Sequence, residues 1–110
     1  MRKVYNAAII GAGNIGAFYS KPKNLNSIIT HAHTYTNEPR INFVGFVDAD
    51  KQKANKAAKI WKTKVFTNIQ DIFAQHYIDI ISVCVPDEIH HTVLNQLIPY
   101  TPKVVLCENL

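Results

Sequence analysis

Near its amino terminus the chain reads Ala7-Ala8-Ile9-Ile10-Gly11-Ala12-Gly13-Asn14-Ile15-Gly16, an apolar run that breaks into three glycines spaced as G-x-G-x-x-G. At this spacing Gly11 permits a tight turn out of a strand, Gly13 removes a side chain where a pyrophosphate would approach the backbone, and Gly16 lets the next helix pack close to a sheet. The unpaired N–H groups at the start of that helix attract an anion. The alternative is a glycine-rich turn that binds nothing, and a carboxylate after the second strand distinguishes the two.

A carboxylate of this kind, Asp48, follows the second predicted strand, residues 41–47. In a dinucleotide-binding fold it accepts hydrogen bonds from the adenosine ribose and opposes a 2′-phosphate. NAD is therefore expected in preference to NADP, although Lys51 softens that preference. Asp48 lies 32 residues after Gly16 rather than the usual distance of about 20, and an insertion of about ten residues accounts for the difference. The alternative role for Asp48 is to cap the next helix, which Asp50 can serve equally well.

The rest of the chain alternates predicted strands and helices. Strands are predicted over residues 4–10, 41–47, 64–66, 79–85 and 103–107. Helices are predicted from residue 14 to at least 19, over 28–37 and 51–62, after a Thr67-x-x-Gln70 capping box, and from Pro86-Asp87 to Pro99, with a loop over 20–27. With right-handed crossovers this repeat gives an α/β fold of the Rossmann type, a doubly wound parallel sheet of order 3-2-1-4-5.

The helix after the fourth predicted strand carries a histidine in an unusual place. Its apolar arc is formed by Ile89, Val93, Leu94, Leu97 and Ile98. At about 100° per residue His90 projects from the middle of this arc, in the first helical turn, where open α/β sheets bind ligands. His91 falls at the edge of the arc and is expected to face solvent. The alternative for His90 is a histidine at the rim of the core with no ligand.

Length and composition predict a single soluble domain over residues 1–110. Hydrophobic residues make up 47% of the chain and charged residues 18%, and no run approaches the roughly 18 apolar residues of a membrane span. The amino terminus runs directly into the first strand without the apolar region of a signal peptide, which favours a cytoplasmic location. Cys84 and Cys107 both lie in apolar runs and are expected to be reduced and buried.

The net charge of +4 and the isoelectric point near 9.1 have a structural explanation. One face of the helix over 51–62 carries Lys53, Lys56, Lys59 and Lys62, opposite Ala54, Ala57, Ala58 and Trp61. This spacing is typical of a solvated face, and no nucleic-acid motif accompanies it. Neither nucleic acid, nor a membrane, nor a metal is expected as a partner, and a second copy of the chain is the one protein partner left open.

Four features together carry a family resemblance: the glycine motif, the strand ending Gly45-Phe46-Val47-Asp48, the stretch Val85-Pro86-Asp87-Glu88-Ile89-His90, and Val105-Leu106-Cys107-Glu108. With them the chain resembles the amino-terminal domain of the glucose–fructose oxidoreductase, inositol dehydrogenase and rhizopine-catabolism family of nicotinamide-dependent oxidoreductases. The resemblance covers nearly all 110 residues. A further segment, His31-Ala32-His33-Thr34-Tyr35, is similar to the His-Ala-x-x-Tyr of some members.

The resemblance implies an NAD(P)-dependent oxidoreductase that acts, in its complete form, on a sugar, polyol or related hydroxyl substrate. The residues that would bind the pyrophosphate are those of the glycine motif: Gly11, Gly13, Asn14, Ile15 and Gly16. Asp48 would hold the ribose. The nicotinamide half would be lined by Val85, Pro86, His90, Glu108 and Asn109.

Two departures from the family pattern qualify this expectation. The family usually continues Glu-Lys-Pro, whereas Asn109 and Leu110 stand at the last two of these positions. Asn109 can donate a hydrogen bond but carries no charge. The family's asparagine after the proline is Asp87 here.

The family's second domain, which supplies the substrate pocket and an acid–base residue, is absent from these 110 residues. No catalytic residue is therefore named, and the chain alone is expected to be inactive. Two alternatives remain open. One is a non-catalytic nucleotide-binding or interaction module, and the more distant one is a methyltransferase.

Overall fold

The computed structural model describes residues 3–12 and 22–108, and over residues 22–29 it describes the backbone alone. The strands in these ranges are β1 (Tyr5–Ile10), β2 (Ile41–Val47), β3 (Lys64–Phe66), β4 (Ile80–Val83) and β5 (Val104–Cys107). The helices are α1 (Pro22–Asn37), α2 (Lys51–Trp61), α3 (Ile69–Gln75) and α4 (Asp87–Leu97), and a short 3-10 turn (Ile98–Tyr100) follows α4. All strands are parallel, in the order β3-β2-β1-β4-β5. The predicted fold class and strand order are confirmed.

The central strand β1 is buried on both faces, which explains its lack of polar alternation. Ala7 and Ile9 pack with α1 and α2, and Ala8 and Ile10 pack on the opposite face with the cluster that includes residues of α3 and α4. The lysine-bearing helix α2 lies on the sheet through Ala54, Ala57 and Ala58, as its pattern predicts. Two apolar layers therefore hold the sheet between helices.

The register of the strands brings three carboxyl ends to one level. Ile10, the last residue of β1, pairs with Val47 of β2 on one side and with Val83 of β4 on the other. The residues that follow these strands, Gly11, Asp48 and Cys84, consequently meet along one edge of the sheet. This edge is where doubly wound folds bind their ligands.

Helix α1 differs from its prediction. The loop predicted over residues 20–27 is wrong for residues 22–27, because α1 begins at Pro22 and continues without a break to Asn37. Proline is compatible with the first helical position, since its missing N–H would have no intrahelical partner there. The asparagines and the serine that follow it lower helix propensity only by tenths of a kcal/mol each. The helix predicted from residue 14 to 19 lies outside the described residues.

The start of α3 is also corrected. The N-cap is Asn68 and not Thr67, since the Asn68 side chain accepts a hydrogen bond from the Asp71 backbone N–H at 2.8 Å. Asparagine is a better N-cap than threonine, so the predicted capping box gives way to it.

One prediction of burial fails at the β5 side of the sheet. Cys84 is buried, but Cys107 is exposed. All four residues of β5 are exposed, because β5 is an edge strand and no described helix covers it. In α4 only Val93 and Leu97 are buried, so its apolar arc is wider than the surface that it covers.

Within the described ranges, no helix is both long and apolar enough to cross a membrane.

Candidate functional site

A crevice of about 470 Å³ opens at the carboxyl edge of the sheet, between β1, β2 and β4. Its lining includes Gly11 after β1, Asp48 after β2, and Val85 and Pro86 after β4. The volume lies within the range of about 300–1,000 Å³ that is common for small-molecule sites. Four residues that the sequence predicted to bind the cofactor thus share one cavity.

Gly11 makes the turn that opens this crevice. Its φ is +101°, a backbone conformation that glycine adopts far more readily than other residues. A Cβ at this position would overlap the Cys84 carbonyl oxygen and would lie 2.7 Å from Val85 Cγ1. The Gly11 N–H donates to the Val47 carbonyl at 2.9 Å, which ties the turn to the end of β2. Gly13, Asn14, Ile15 and Gly16 lie outside the described residues.

Asp48 is half-buried at the end of β2, with its carboxylate on the crevice. Its backbone N–H donates to the Phe66 carbonyl at 3.0 Å, and its Oδ1 accepts from the Asp50 N–H at 2.8 Å. The helix cap of α2 is Asp50, whose side chain accepts from the Lys53 N–H. The alternative role for Asp48 as a cap therefore does not apply.

The residues after β4 divide between the crevice and the protein interior. Val85 is buried and Pro86 precedes α4, and both line the cavity. His90 is half-buried, and its Nε2 donates a hydrogen bond of 2.7 Å to the Val85 carbonyl. His90 does not belong to the lining of the cavity. It holds the backbone at the start of α4, and its contact with a cofactor stays a prediction. His91 is exposed, as predicted.

Glu108 follows β5, and its backbone N–H donates to the Val83 carbonyl at 3.0 Å. Its Oε1 lies 3.0 Å from His31 Nε2, on helix α1. The other ring nitrogen, His31 Nδ1, lies 2.7 Å from Ser82 Oγ, and Ser82 Oγ lies 2.5 Å from the Tyr35 hydroxyl. We refer to these four side chains, Tyr35, Ser82, His31 and Glu108, as the histidine network. Asn109 lies outside the described residues.

The directions of the hydrogen bonds in this network follow from its ends. An ionised Glu108 carboxylate only accepts, so His31 Nε2 donates to it. In a neutral imidazole the other nitrogen, Nδ1, then accepts, and the Ser82 hydroxyl donates to it. Ser82 accepts in turn from the Tyr35 hydroxyl, whose pKa burial raises. No buried side-chain nitrogen or oxygen in the described residues lacks a partner.

Sequence reasoning gave Glu108 a role but none to its three partners. Two signals were available: the four-residue spacing of His31 and Tyr35, which places both on one helix face, and the similarity of their segment to the His-Ala-x-x-Tyr of some family members. Cys84, beside Gly11, is a poor nucleophile at neutral pH because burial raises the pKa of its thiol to about 12. In the parts of the chain that the structure describes, no group of three or more His, Cys, Asp or Glu residues is arranged to hold a metal ion.

Comparison with known proteins agrees with this geometry. A family model described as an oxidoreductase family with an NAD-binding Rossmann fold matches residues 5–109. Among curated proteins, the redox-sensing transcriptional repressor Rex of Thermosipho africanus (strain TCF52B) is 27% identical over 97 residues, which are 88% of this chain and 42% of that protein.

Among solved structures, GenD2 from gentamicin A biosynthesis in complex with NAD is similar with a TM-score of 0.72 and 22% identity, over 94% of this chain and 26% of that one. A protein of Sinorhizobium meliloti 1021 that is provisionally described as a myo-inositol dehydrogenase has a TM-score of 0.68 and 23% identity. The match covers 94% of this chain and 27% of that one. The chain thus spans about a quarter of the length of these structures. At these identities the structures show the fold. The family match favours a cofactor domain over an interaction module.

Proposed function

The chain belongs to the oxidoreductase family with an NAD-binding Rossmann fold, and from that membership we propose that residues 1–110 form the cofactor domain of an NAD-dependent dehydrogenase. The dinucleotide lies across the crevice at the carboxyl edge of the sheet. One observation carries this proposal. The Gly11 turn, where a Cβ would overlap the Cys84 carbonyl, lines the same cavity as the Asp48 carboxylate.

Each part of the cofactor has a proposed set of residues. The pyrophosphate binds at the glycine loop, through Gly11, Gly13, Asn14, Ile15 and Gly16. Asp48 accepts hydrogen bonds from the adenosine ribose hydroxyls, because one carboxylate oxygen is held by the Asp50 N–H while the other has no donor among the described residues. The nicotinamide half lies toward Val85, Pro86, His90, Glu108 and Asn109.

We propose NAD as the preferred cofactor. A 2′-phosphate would approach the Asp48 carboxylate, and two negative groups repel each other at that distance. Lys53 also lines the crevice, but its Nζ lies 3.9 Å from Asp50 Oδ2, so part of its charge is already balanced. NADP is therefore expected to bind more weakly than NAD, and not to be excluded.

The complete protein is proposed to oxidise or reduce a sugar, polyol or related hydroxyl compound. This is in keeping with the similarity to a protein of gentamicin A biosynthesis and to an inositol dehydrogenase. Hydride transfer requires a substrate held against the nicotinamide. Because Cys84 holds its proton at neutral pH and His90 is bonded to a backbone carbonyl, we assign no acid–base residue to the crevice. The 110-residue chain is expected to bind the cofactor without turning over a substrate.

Calorimetric titration of the 110-residue chain with NAD, NADP and S-adenosylmethionine tests the proposal. The expected result is saturable binding of NAD, weaker binding of NADP, and no displacement of NAD by S-adenosylmethionine. Absence of NAD binding by the folded chain would contradict the assignment of the crevice. Tighter binding of NADP than of NAD would contradict only the role of Asp48 in cofactor choice.

A further inference from the structure

The histidine network links three separate parts of the chain and ends at the carboxyl edge of the sheet, where Glu108 follows β5, although none of its four side chains lines the cavity. His31 lies on α1, Ser82 lies on β4, and Glu108 follows β5, 77 residues after His31. Ser82 is fully buried, the His31 side chain is 11% exposed, and the Glu108 side chain is 42% exposed. The network therefore begins in the core and ends at a carboxylate that reaches solvent.

Packing alone does not explain this arrangement. Ala32 and Tyr35 already bury the inner face of α1 against the sheet. An apolar residue in place of His31 would cover the same surface without the desolvation of an imidazole and a serine. Every polar atom of the network is nevertheless paired, so the histidine is held in one orientation with its Nε2–H toward Glu108.

Glu108 has little else to hold its side chain. It follows the edge strand β5, whose residues are all exposed, and His31 is its one side-chain partner among the described residues. A free glutamate at such a position samples several rotamers and loses that freedom when a ligand binds. A glutamate already fixed by a donor avoids this loss, which is the usual effect of preorganisation on affinity.

We propose that His31 is a positioning residue for the nicotinamide half of the cofactor. Ser82 sets the imidazole, the imidazole fixes the Glu108 carboxylate, and the carboxylate meets the nicotinamide riboside as an ordered acceptor. This inference rests on the proposed function, which places the nicotinamide half beside Glu108. It adds a residue of α1, which lies outside the cavity lining, to the determinants of cofactor affinity.

Two substitutions at His31 separate its two hydrogen bonds. Asparagine places a polar atom near the position of Nδ1, so His31→Asn retains the contact with Ser82 and loses Glu108. Glutamine extends to the position of Nε2, so His31→Gln retains a donor to Glu108 and loses Ser82. Glu108→Ala removes the carboxylate itself, at a position where the side chain is 42% exposed.

Calorimetric titration of the 110-residue chain with NAD and with ADP tests the proposal, because ADP lacks the second ribose and the nicotinamide. Glu108→Ala is expected to weaken NAD binding at least about tenfold, as one lost charged hydrogen bond would, and His31→Asn about fivefold, as the lost ordering of one side chain would. Both should leave ADP binding unchanged. The double variant should lose no more than Glu108→Ala alone, since His31 acts only through that carboxylate. His31→Gln should bind NAD within about twofold of the unmodified chain.

His33→Asn is the matched control, because it makes the same substitution two residues away on α1, at an exposed histidine outside the network. It is expected to leave NAD affinity unchanged. Equal weakening of NAD and ADP by His31→Asn, additive losses in the double variant, or an equal loss of NAD affinity in His33→Asn would each overturn the positioning role. If the unmodified chain binds neither NAD nor ADP, the proposed function fails, and this inference falls with it. If it binds both and the His31 and Glu108 variants are unaffected, only this inference fails.

Discussion

The backbone N–H of Asp50 donates to Oδ1 of Asp48 at 2.8 Å, so the two carboxylates after β2 have separate tasks. Asp50 caps α2 by accepting from the Lys53 N–H. Asp48 is oriented by its neighbour and faces the crevice. The pair therefore offers two substitutions of the same size, two residues apart, of which only one is expected to affect cofactor binding.

We predict that Asp48→Ala weakens NAD binding at least about fivefold, because the ribose hydroxyls lose a charged acceptor. Asp50→Ala should leave the affinity within about twofold and lower the free energy of unfolding by about 1 kcal/mol through the lost cap. Titration with NAD and urea denaturation of both variants measure the two effects. Equal affinities in the two variants would contradict the ribose role of Asp48.

Gly11 and Gly45 form a second matched pair. A Cβ on either would meet backbone atoms, at Cys84 for Gly11 and at Lys64 for Gly45, but only Gly11 has a positive φ and lines the crevice. Gly11→Ala should cost about 1–3 kcal/mol for the backbone conformation and about as much again for the overlap. The molecules of the Gly11→Ala variant that remain folded should not bind NAD.

Gly45→Ala should lower stability through the β2–β3 contact and retain NAD binding in the folded fraction. Thermal unfolding with and without NAD reports both quantities, because a ligand that binds the folded state raises the melting temperature. A melting temperature that still rises with NAD in Gly11→Ala would argue against the glycine turn as part of the cofactor site.

The sequence predicted the sheet well because its strands are apolar runs with clear ends. β2 and β3 have the predicted bounds, since Asp48 ends one run and turn residues follow the other. The glycine turn and the carboxylate after β2 were also accessible, because both depend on local chemistry at a strand end. Such features need no knowledge of what packs against them.

The remaining features depend on contacts between distant residues, which a single sequence does not specify. β5 has the same apolar composition whether a helix covers it or not, so the exposure of Cys107 had no local signal. Ser82 sits in an apolar strand and His31 on a helix whose start was misplaced. Their meeting with Glu108 follows from the strand order and the register of α1 on the sheet, which only the structure gives.

Asp79 anchors the amino-terminal edge of the sheet, opposite the crevice. Its buried carboxylate accepts from the Asn6 backbone N–H at 2.9 Å and lies 3.4 Å from Lys103 Nζ. Asp79→Ala should lower the free energy of unfolding by about 1–3 kcal/mol, because a backbone donor in the sheet loses its acceptor. Lys103→Ala should cost less than about 1 kcal/mol, since its ammonium group is half-exposed.

Urea denaturation of the Asp79 and Lys103 variants measures this difference. NAD affinity of the folded protein should be the same in both, because the contact lies at the edge of the sheet away from Gly11 and Asp48. Equal losses in the two variants would show that the ion pair, and not the hydrogen bond to Asn6, supplies the stability, because Asp79→Ala removes both contacts.

The two cysteines should react at very different rates. Cys107 is exposed on β5, whereas Cys84 is buried beside the glycine turn. Iodoacetamide at neutral pH is expected to modify one thiol in the folded chain and both in urea. Cys107→Ser should remove the fast reaction completely. Rapid modification of Cys84 in the folded Cys107→Ser variant would contradict the closed packing at the end of β4.

The burial of Cys84 also predicts how stability depends on pH. Burial raises the pKa of this thiol from 9.0 to about 12, and the negative charges of Glu108 and Cys107 add to the effect. Between these values the unfolded chain loses the thiol proton while the folded chain keeps it, so the stability present below pH 9 declines as the pH rises toward 12. Tyr35 contributes in the same direction, because its pKa is raised from 10.0.

Urea denaturation of the unmodified chain and of Cys84→Ala, repeated at several pH values from neutrality upward, isolates the thiol. Both proteins retain Tyr35, so the difference between their free energies of unfolding reports Cys84 alone. That difference is expected to stay constant up to about pH 9 and then to shift in favour of Cys84→Ala, because alanine has no proton to lose in the unfolded state. A constant difference across the whole range would mean that the thiol ionises as readily in the folded chain as in the unfolded one, and that the end of β4 is open to solvent.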